Sequence, residues 1–158
     1  MNKIEVADVC HIDSDMVINP VKTPVECTMR MPRIIKEKWL EGLRSGQFQK
    51  GIGQLMTNEG KFCCLGVLQM VVDGQVEHFP DGDSLGLPSS DWLIKHGISF
   101  SGASVAAIVN TNPLVSAIVE TESESAIRTI RVPILNDEYQ CDFAHIADIL
   151  EPNIEVTD

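Results

Sequence analysis

The chain has 158 residues, of which 44% are hydrophobic and 22% are charged, a composition typical of one globular domain and not of a disordered or fibrous chain. Its 23 acidic residues against 12 lysines and arginines give a formal net charge of −11, which argues against direct binding of nucleic acid through its phosphates. Its apolar runs are far shorter than the roughly 18 residues of a transmembrane helix, and its first residues lack the apolar stretch of a signal peptide, so we expect an intracellular protein that does not contact a membrane.

The first 30 residues carry scattered Val, Ile and Met side chains together with Pro20 and Pro24. Because no period of 3.6 residues is sustained, this region predicts one or two short strands and extended chain. We interpret residues 1–30 as an N-terminal extension, residues 31–152 as one globular domain, and residues 153–158 as an acidic tail.

A helix is predicted over residues 33–45. Pro32 suits the first turn of a helix, and Ile35, Trp39 and Leu43 recur at four-residue steps on one face. Gly46 follows as a C-terminal cap.

The segment after this helix is a candidate binding site. It lies in the most basic part of the chain and combines side-chain hydrogen-bond donors with two glycines whose backbone a ligand can approach. It lacks the Walker phosphate-binding pattern, so the alternative is a purely structural turn. The candidate residues for binding a small anion or an acidic protein surface are Arg44, Ser45, Gln47, Gln49, Lys50, Gly51 and Gly53.

The middle of the chain predicts a hairpin followed by a buried element. Asn58, Glu59 and Gly60 have the chemistry of a turn between short strands at residues 54–57 and 61–63. Residues 65–72 are apolar nearly throughout and form either a buried helix or a strand, and eight residues are too few for periodicity to decide. We favour the helix. Ser89 or Ser90 is then expected to cap a short helix that contains Trp92.

The last third ends in the clearest element of the chain. Residues 127–135 begin with the alternation of a half-buried strand, which Pro133 places at a sheet edge. The final helix starts after Asp142 as N-cap and stops at Pro152. All elements together predict an α+β fold, a single compact domain with a small antiparallel sheet packed by three to four helices. The side chains expected in its core are Trp39, Leu43, Phe62, Leu65, Leu68, Trp92, Phe143, Ile146 and Leu150.

Cys63 and Cys64 are the residues that most resemble catalytic ones. A thiol at a helix N-terminus can be activated as a nucleophile, with His145 as its base and Asp137 or Asn136 to orient that base. The alternative is that both cysteines belong to the core, because apolar residues flank them on both sides. We favour the core and assign no catalytic residue.

The five cysteines do not show the spacing of a zinc site, because the chain contains no Cys-x-x-Cys pair. Cys141 and His145 are four residues apart, but Asp142 as N-cap leaves Cys141 outside the final helix. We therefore expect no bound metal and no cofactor, and we expect the cysteines to be reduced thiols, as is usual inside cells.

Three stretches of the chain together resemble a family of small proteins from tailed bacteriophages and prophages. They are WLEGLRSGQFQKGIGQL (39–55), KFCCLGVL (61–68) and ILNDEYQCDFAHIADILE (134–151). The shared pattern runs from Leu-Arg-Ser-Gly through Cys-Cys-Leu-Gly-Val-Leu to Leu-Asn-Asp and Ile-Ala-Asp. His145 departs from it, since the family often has a Glu there that completes a capping box. The resemblance implies a phage origin and supplies no mechanism.

These observations favour a non-enzymatic phage accessory protein in the host cytoplasm. It is expected to bind a host protein or a small anionic, nucleotide-like signal, with counter-defence as one form of that role, and to bind neither nucleic acid nor membrane. A homo-oligomer is left open. The alternatives are a Cys-dependent hydrolase or transferase that uses Cys63 or Cys64, and a virion or assembly component.

Overall fold

The part of the chain that the structure describes contains two small β-sheets, five α-helices and a 3₁₀ helix at Glu151–Asn153. This computed structural model describes residues 10–11, 17–21, 29–100, 114–121, 124–139 and 141–158. The helices are α1 (Arg33–Arg44), α2 (Cys64–Asp73), α3 (Ser90–Lys95), α4 (Val132–Asp137) and α5 (Phe143–Leu150). The strands are β1 (Cys10–His11), β2 (Val17–Pro20), β3 (Met29–Met31), β4 (Ser99–Phe100), β5 (Leu114–Glu120), β6 (Ser125–Arg131) and β7 (Ile154–Val156). The predicted α+β class is confirmed.

The two sheets differ in strand direction. The first has the order β1-β2-β5-β6 and is antiparallel throughout, and its register places buried side chains opposite one another, as in the pairs Ile18–Val119 and Val115–Ile130. The second has the order β4-β3-β7, in which β3 and β7 are parallel. The sequence predicted an antiparallel sheet and gave no sign of the parallel pair, because parallel strands are not joined by a short turn that could be recognised.

Residues assigned to the N-terminal extension and to the acidic tail take part in these sheets. Ile18 in β2 and Met29 in β3 are buried, and Ile154 in β7 lies opposite Met29. Beyond β7, the carboxylate of Asp158 accepts a hydrogen bond of 2.7 Å from the backbone N–H of Arg33, at the start of α1. The predicted short strands before residue 31 are found as β1, β2 and β3, and the rest of that region lies outside the described residues.

The main core lies where α1 packs against α2 and α5. Trp39 of α1 is fully buried, and its Nε1 donates a hydrogen bond of 2.8 Å to the carbonyl oxygen of Cys64 at the start of α2. The two helices approach closely because Gly42 has no side chain, since a Cβ there would lie 2.7 Å from Cγ1 of Val71. All nine side chains predicted to be in the core are buried.

The predicted N-caps Ser89 and Asp142 are confirmed, whereas the C-cap of α1 is Ser45, one residue before the predicted Gly46. Asp142 accepts the N–H of His145 at the start of α5, and Ser89 accepts the N–H of Trp92 at the start of α3. Residues 65–72 are helical, as favoured, and α2 ends at Gly74, whose φ of 76° suits glycine. Within the described segments, no helix has the length and apolar character needed to cross a bilayer.

The N-terminus of α2 lies in close contact with the backbone of the loop before it. A Cβ added to Gly66 would lie 1.8 Å from the carbonyl oxygen of Leu55 and 2.7 Å from its carbonyl carbon. A backbone atom cannot move aside as the end of a flexible side chain can. Only glycine therefore permits this contact.

Gly66→Ala tests this contact because helix propensity and packing predict changes of opposite sign in the free energy of unfolding. In an open helix the change to Ala stabilises by about 1 kcal/mol, whereas here we expect a loss of unfolding free energy of about 3 kcal/mol or more from the forced shift of the loop. Urea denaturation measures the difference. Gly86→Ala is the matched control, because its Cβ would lie 3.5 Å from the oxygen of Gly53, an ordinary contact. A Gly66→Ala variant as stable as the wild type would contradict the packing.

Candidate functional site

The three stretches that carry the phage-family resemblance meet at one place. The loop of residues 50–53, the start of α2 at Cys63 and Cys64, and the end of α4 at Asn136 and Asp137 come together there, and we call these residues the junction. The Nδ2 of Asn136 donates a hydrogen bond of 2.8 Å to the buried carbonyl oxygen of Gly51, which lies 85 residues earlier. The N–H of Gly53 donates to Oδ1 of Asp137 at 3.3 Å.

Asn136 is the central anchor of the junction. Its side chain is fully buried, and Nδ2 donates to Oδ1 of Asp137 at 2.7 Å as well as to Gly51. One amide group thus fixes both the loop and the neighbouring carboxylate. Its Oδ1 has no hydrogen-bond partner among the described residues. Asn136 and Asp137 are the last two residues of α4.

The glycines of the loop are required by its backbone. The N–H of Gly51 donates to the carbonyl oxygen of Phe62 at 2.6 Å, and the N–H of Phe62 donates back to the oxygen of Gln49 at 2.8 Å. A Cβ at residue 51 would lie 2.9 Å from both Cβ of Lys61 and Cγ2 of Thr57, and Gly53 has a φ of 83°. These contacts explain the spacing of the glycines without a ligand.

Cys63 is the N-cap of α2, the position at which a reactive thiol was considered. Its Sγ accepts the N–H of Gly66 at 3.4 Å, and only 4% of the residue is exposed. The pKa of the Cys63 thiol is raised from 9.0 to about 11. Burial is the largest cause and the charge of Asp137 acts in the same direction, while the N–H groups of Gly66 and Leu65 act in the opposite direction. The thiol is therefore protonated at neutral pH.

Cys64 is expected to be still less reactive than Cys63, because it is more deeply buried. It is fully buried, its Sγ donates to the carbonyl oxygen of Val132 at 3.9 Å, and burial raises its pKa well above the ordinary value.

The structure places the proposed base His145 against β2, where its Nε2 lies 2.8 Å from the oxygen of Ile18. Of the proposed catalytic partners, Asp137 lies close enough to act on the pKa of both thiols, and it makes them less acidic.

Lys50 is the cation of the junction. It is half-buried, and burial lowers its pKa, while the negative charges of Asp137 and Asp142 oppose that shift. The ammonium group therefore has carboxylates of the protein itself as its neighbours.

The predicted binding segment is divided by the fold. Nη2 of Arg44 lies 2.8 Å from Oδ1 of Asp148 and 2.6 Å from Oε1 of Glu151, on the α5 side of α1. Ser45 donates to the oxygen of Gly42 and so completes the end of α1. The exposed residues of the segment beyond Ser45 include Gln47 and Gln49, whereas Lys50, Gly51 and Gly53 belong to the junction.

An open surface groove of about 530 Å³ lies beside Arg44, between α1 and the end of α5. Nζ of Lys36 donates to the oxygen of Ile154 at 2.9 Å within it. Both of its carboxylates, Asp148 and Glu151, pair with Arg44. The residues that line it are Lys36, Arg44, Asp148, Glu151, Pro152 and Ile154.

The cysteines whose side chains the structure describes are of two kinds. Cys63 and Cys64 are free thiols, as expected. Cys141 is disulfide-bonded, so the expected reduced thiol is wrong there, and the cysteine it pairs with has its side chain outside the described part of the chain. Sequence spacing gave no signal for this pairing. No three His, Cys, Asp or Glu side chains among the described residues are grouped so as to hold a metal ion.

The family assignment rests on a model that covers most of the chain. A family described as a domain of unknown function, DUF8296, matches residues 31–154. The chain belongs to the DUF8296 family. The matched region runs from the last residue of β3 to the first residue of β7, so it contains the whole junction. No curated protein and no solved structure matches the chain significantly.

Replacement of Asn136 tests the anchor of the DUF8296 junction. Asn136→Ala should lower the free energy of unfolding by about 1–3 kcal/mol, because the buried oxygen of Gly51 loses its donor. Asn136→Asp should cost more at neutral pH, because a buried carboxylate would face both the Gly51 carbonyl and the Asp137 carboxylate. Urea denaturation measures both, and Asn58→Ala in the exposed turn is the control, expected within about 0.5 kcal/mol of wild type. If Asn136→Ala leaves stability unchanged, Asn136 does not anchor the loop.

Proposed function

We propose that this DUF8296 protein acts by binding another protein and not by thiol catalysis. The observation that carries the proposal is the state of Cys63, whose sulfur is buried at the start of α2 and whose pKa is raised to about 11 by that burial. The thiolate is the nucleophilic form of cysteine, and enzymes that use it lower the thiol pKa with a neighbouring cation or base. The environment of Cys63 raises the thiol pKa instead of lowering it.

A protein partner is favoured over a small anion by the contacts of the binding segment. The N–H of Gly53 faces the carboxylate of Asp137, the N–H of Gly51 is bonded to Phe62, and Arg44 is held by two carboxylates. A bound phosphate would have to displace the protein's own anions or lie beside them. Like charges at such distances repel.

The junction instead gives a rigid support to the side chains around it. Ile52 is 52% exposed between two glycines whose backbones are hydrogen-bonded, and Gln47 and Gln49 are exposed just before it. A loop held in place by the surrounding fold can present such side chains to a partner with little loss of conformational entropy.

The kind of partner that we propose is supported by the motif resemblance and by the net charge of the chain. Small phage proteins of this resemblance meet the proteins of an infected bacterium, so we place the partner among host proteins. A net charge of −11 suits a partner with a basic surface. Interference with a host defence is one role that such binding serves.

Thiol reactivity tests the proposal directly. At pH 7, Cys63 in the native protein should react with iodoacetamide about a hundredfold more slowly than in protein unfolded in urea, because a pKa two units higher leaves a hundredfold smaller thiolate fraction. Its rate should rise as the pH approaches 11. Peptide mass spectrometry assigns the modified cysteine.

A second arm separates binding from catalysis. Cys63→Ala, verified as folded by circular dichroism, should retain the effect of the protein in an infection assay. Rapid alkylation of Cys63 near pH 6 combined with loss of that effect in the folded Cys63→Ala variant would refute the proposal and establish a thiol enzyme.

A further inference from the structure

Three of the five large apolar side chains exposed by the described residues lie on two adjoining loops. They are Ile52, Phe79 and Leu87, exposed by 52%, 51% and 36%, and we call them the apolar face. The loops touch where a Cβ on Gly86 would lie 3.5 Å from the oxygen of Gly53. Ile52 and Leu87 are the immediate neighbours of these two glycines.

The two loops are joined along their length by hydrogen bonds. The N–H of Leu55 donates to the oxygen of Leu85 at 2.9 Å, and the N–H of Met56 donates to Oγ of Ser84 at 3.1 Å. Phe79 stands at the turn of the second loop, where its N–H donates to the oxygen of Asp83 at 2.7 Å. The backbones that carry the apolar side chains are therefore fixed by these hydrogen bonds.

The second loop is also fixed to α2. Glu77 at its start accepts hydrogen bonds from Nε2 of Gln69, which is fully buried, and from both the N–H and the Oγ of Ser89. Gln69 in turn accepts the N–H of Glu77. Both ends of the loop are thus anchored to the core, so covering its exposed side chains costs a partner little ordering.

The second loop carries charge of one sign, whereas the first loop carries Lys50 two residues before Ile52. Residues 77–91 contain four acidic residues and no lysine or arginine. Asp81 and Asp83 are exposed on the same turn as Phe79, and Oδ1 of Asp81 accepts the N–H of Asp83 at 3.0 Å. Asp137, at the junction, adds a carboxylate beside Gly53.

We propose that the apolar face binds a basic protein partner, whose apolar side chains cover Ile52, Phe79 and Leu87 and whose lysines and arginines meet Asp81 and Asp83. This inference rests on the proposed function and names its surface. Exposed aromatic and aliphatic anchors on a rigid support are the usual centre of a protein interface, and complementary charge at the rim selects the partner.

The same charges disfavour the other occupants. A second copy would bring two acidic loops together across the interface, and nucleic acid would bring its phosphates against Asp81 and Asp83. Each of these arrangements is repulsive. A basic protein is the occupant that both the apolar side chains and the carboxylates fit.

A display library of random 12-residue peptides, selected against the whole protein, supplies a defined probe. The enriched peptides should combine a net positive charge with aliphatic or aromatic residues. A synthetic copy of an enriched peptide should lose at least about tenfold in affinity to an Ile52→Ser/Leu87→Ser variant and to Phe79→Ser. Asp81→Asn/Asp83→Asn and added salt should each weaken it a few-fold.

Ile34→Ser/Ile94→Ser is the matched control, because these two apolar side chains are exposed by 56% and 62% on α1 and α3. It should bind the peptide unchanged, and thermal denaturation checks that every variant is folded. The inference is overturned if no peptide is enriched, if the enriched peptides are not basic, or if the Ile52→Ser/Leu87→Ser variant binds the peptide as tightly as the wild type. A dimer seen in sedimentation velocity and abolished in the Ile52→Ser/Leu87→Ser variant would overturn the inference in favour of a second copy of the chain.

None of these outcomes changes the reactivity of Cys63, so failure of the proposed surface is distinct from failure of the proposed function.

Discussion

The N-terminus of α2 can lie against the loop before it only because residue 66 has no side chain. The carbonyl oxygen of Leu55 occupies the space that a Cβ would need. This contact sets the position of Cys63 and Cys64 at the start of the helix, and the bond from Trp39 to the Cys64 oxygen joins the same helix end to α1. This close approach and this hydrogen bond therefore fix the loop, the helix and α1 relative to one another.

The polar residues of the junction are used to hold the fold. Asn136 satisfies the buried oxygen of Gly51, and Asp137 receives the N–H of Gly53. Strongly shifted pKa values are common at active sites, but the direction of the shift decides what they mean. Burial makes the Cys63 thiol less acidic, which is the state of a core residue. What this arrangement leaves for a partner is the set of side chains that the fixed loops expose.

The sequence predicted what local patterns encode. Four-residue spacing with a proline start gave α1, an aspartate cap gave α5, and an apolar run around two cysteines gave the buried start of α2. The choice between helix and strand for residues 65–72 needed the structure, because a segment buried on all sides shows no periodicity.

The contacts that define the site were not predictable in the same way. Asn136 meets Gly51 across 85 residues, and Arg44 meets Asp148 and Glu151 across 104 and 107 residues. A single sequence carries no signal for such pairs, so Arg44 was placed in the binding segment by its charge alone. The parallel pairing of β3 with β7 was missed for the same reason.

Native-state amide exchange followed by NMR tests most directly whether Asn136 holds the loop. In an Asn136→Ala variant, the amides of Gly51 and Phe62 should lose more protection than the amide of Val67 inside α2, because the loop opens locally while the helix remains packed. Equal loss at all three amides would show that Asn136 supports only global stability. Unchanged protection at Gly51 would contradict the account.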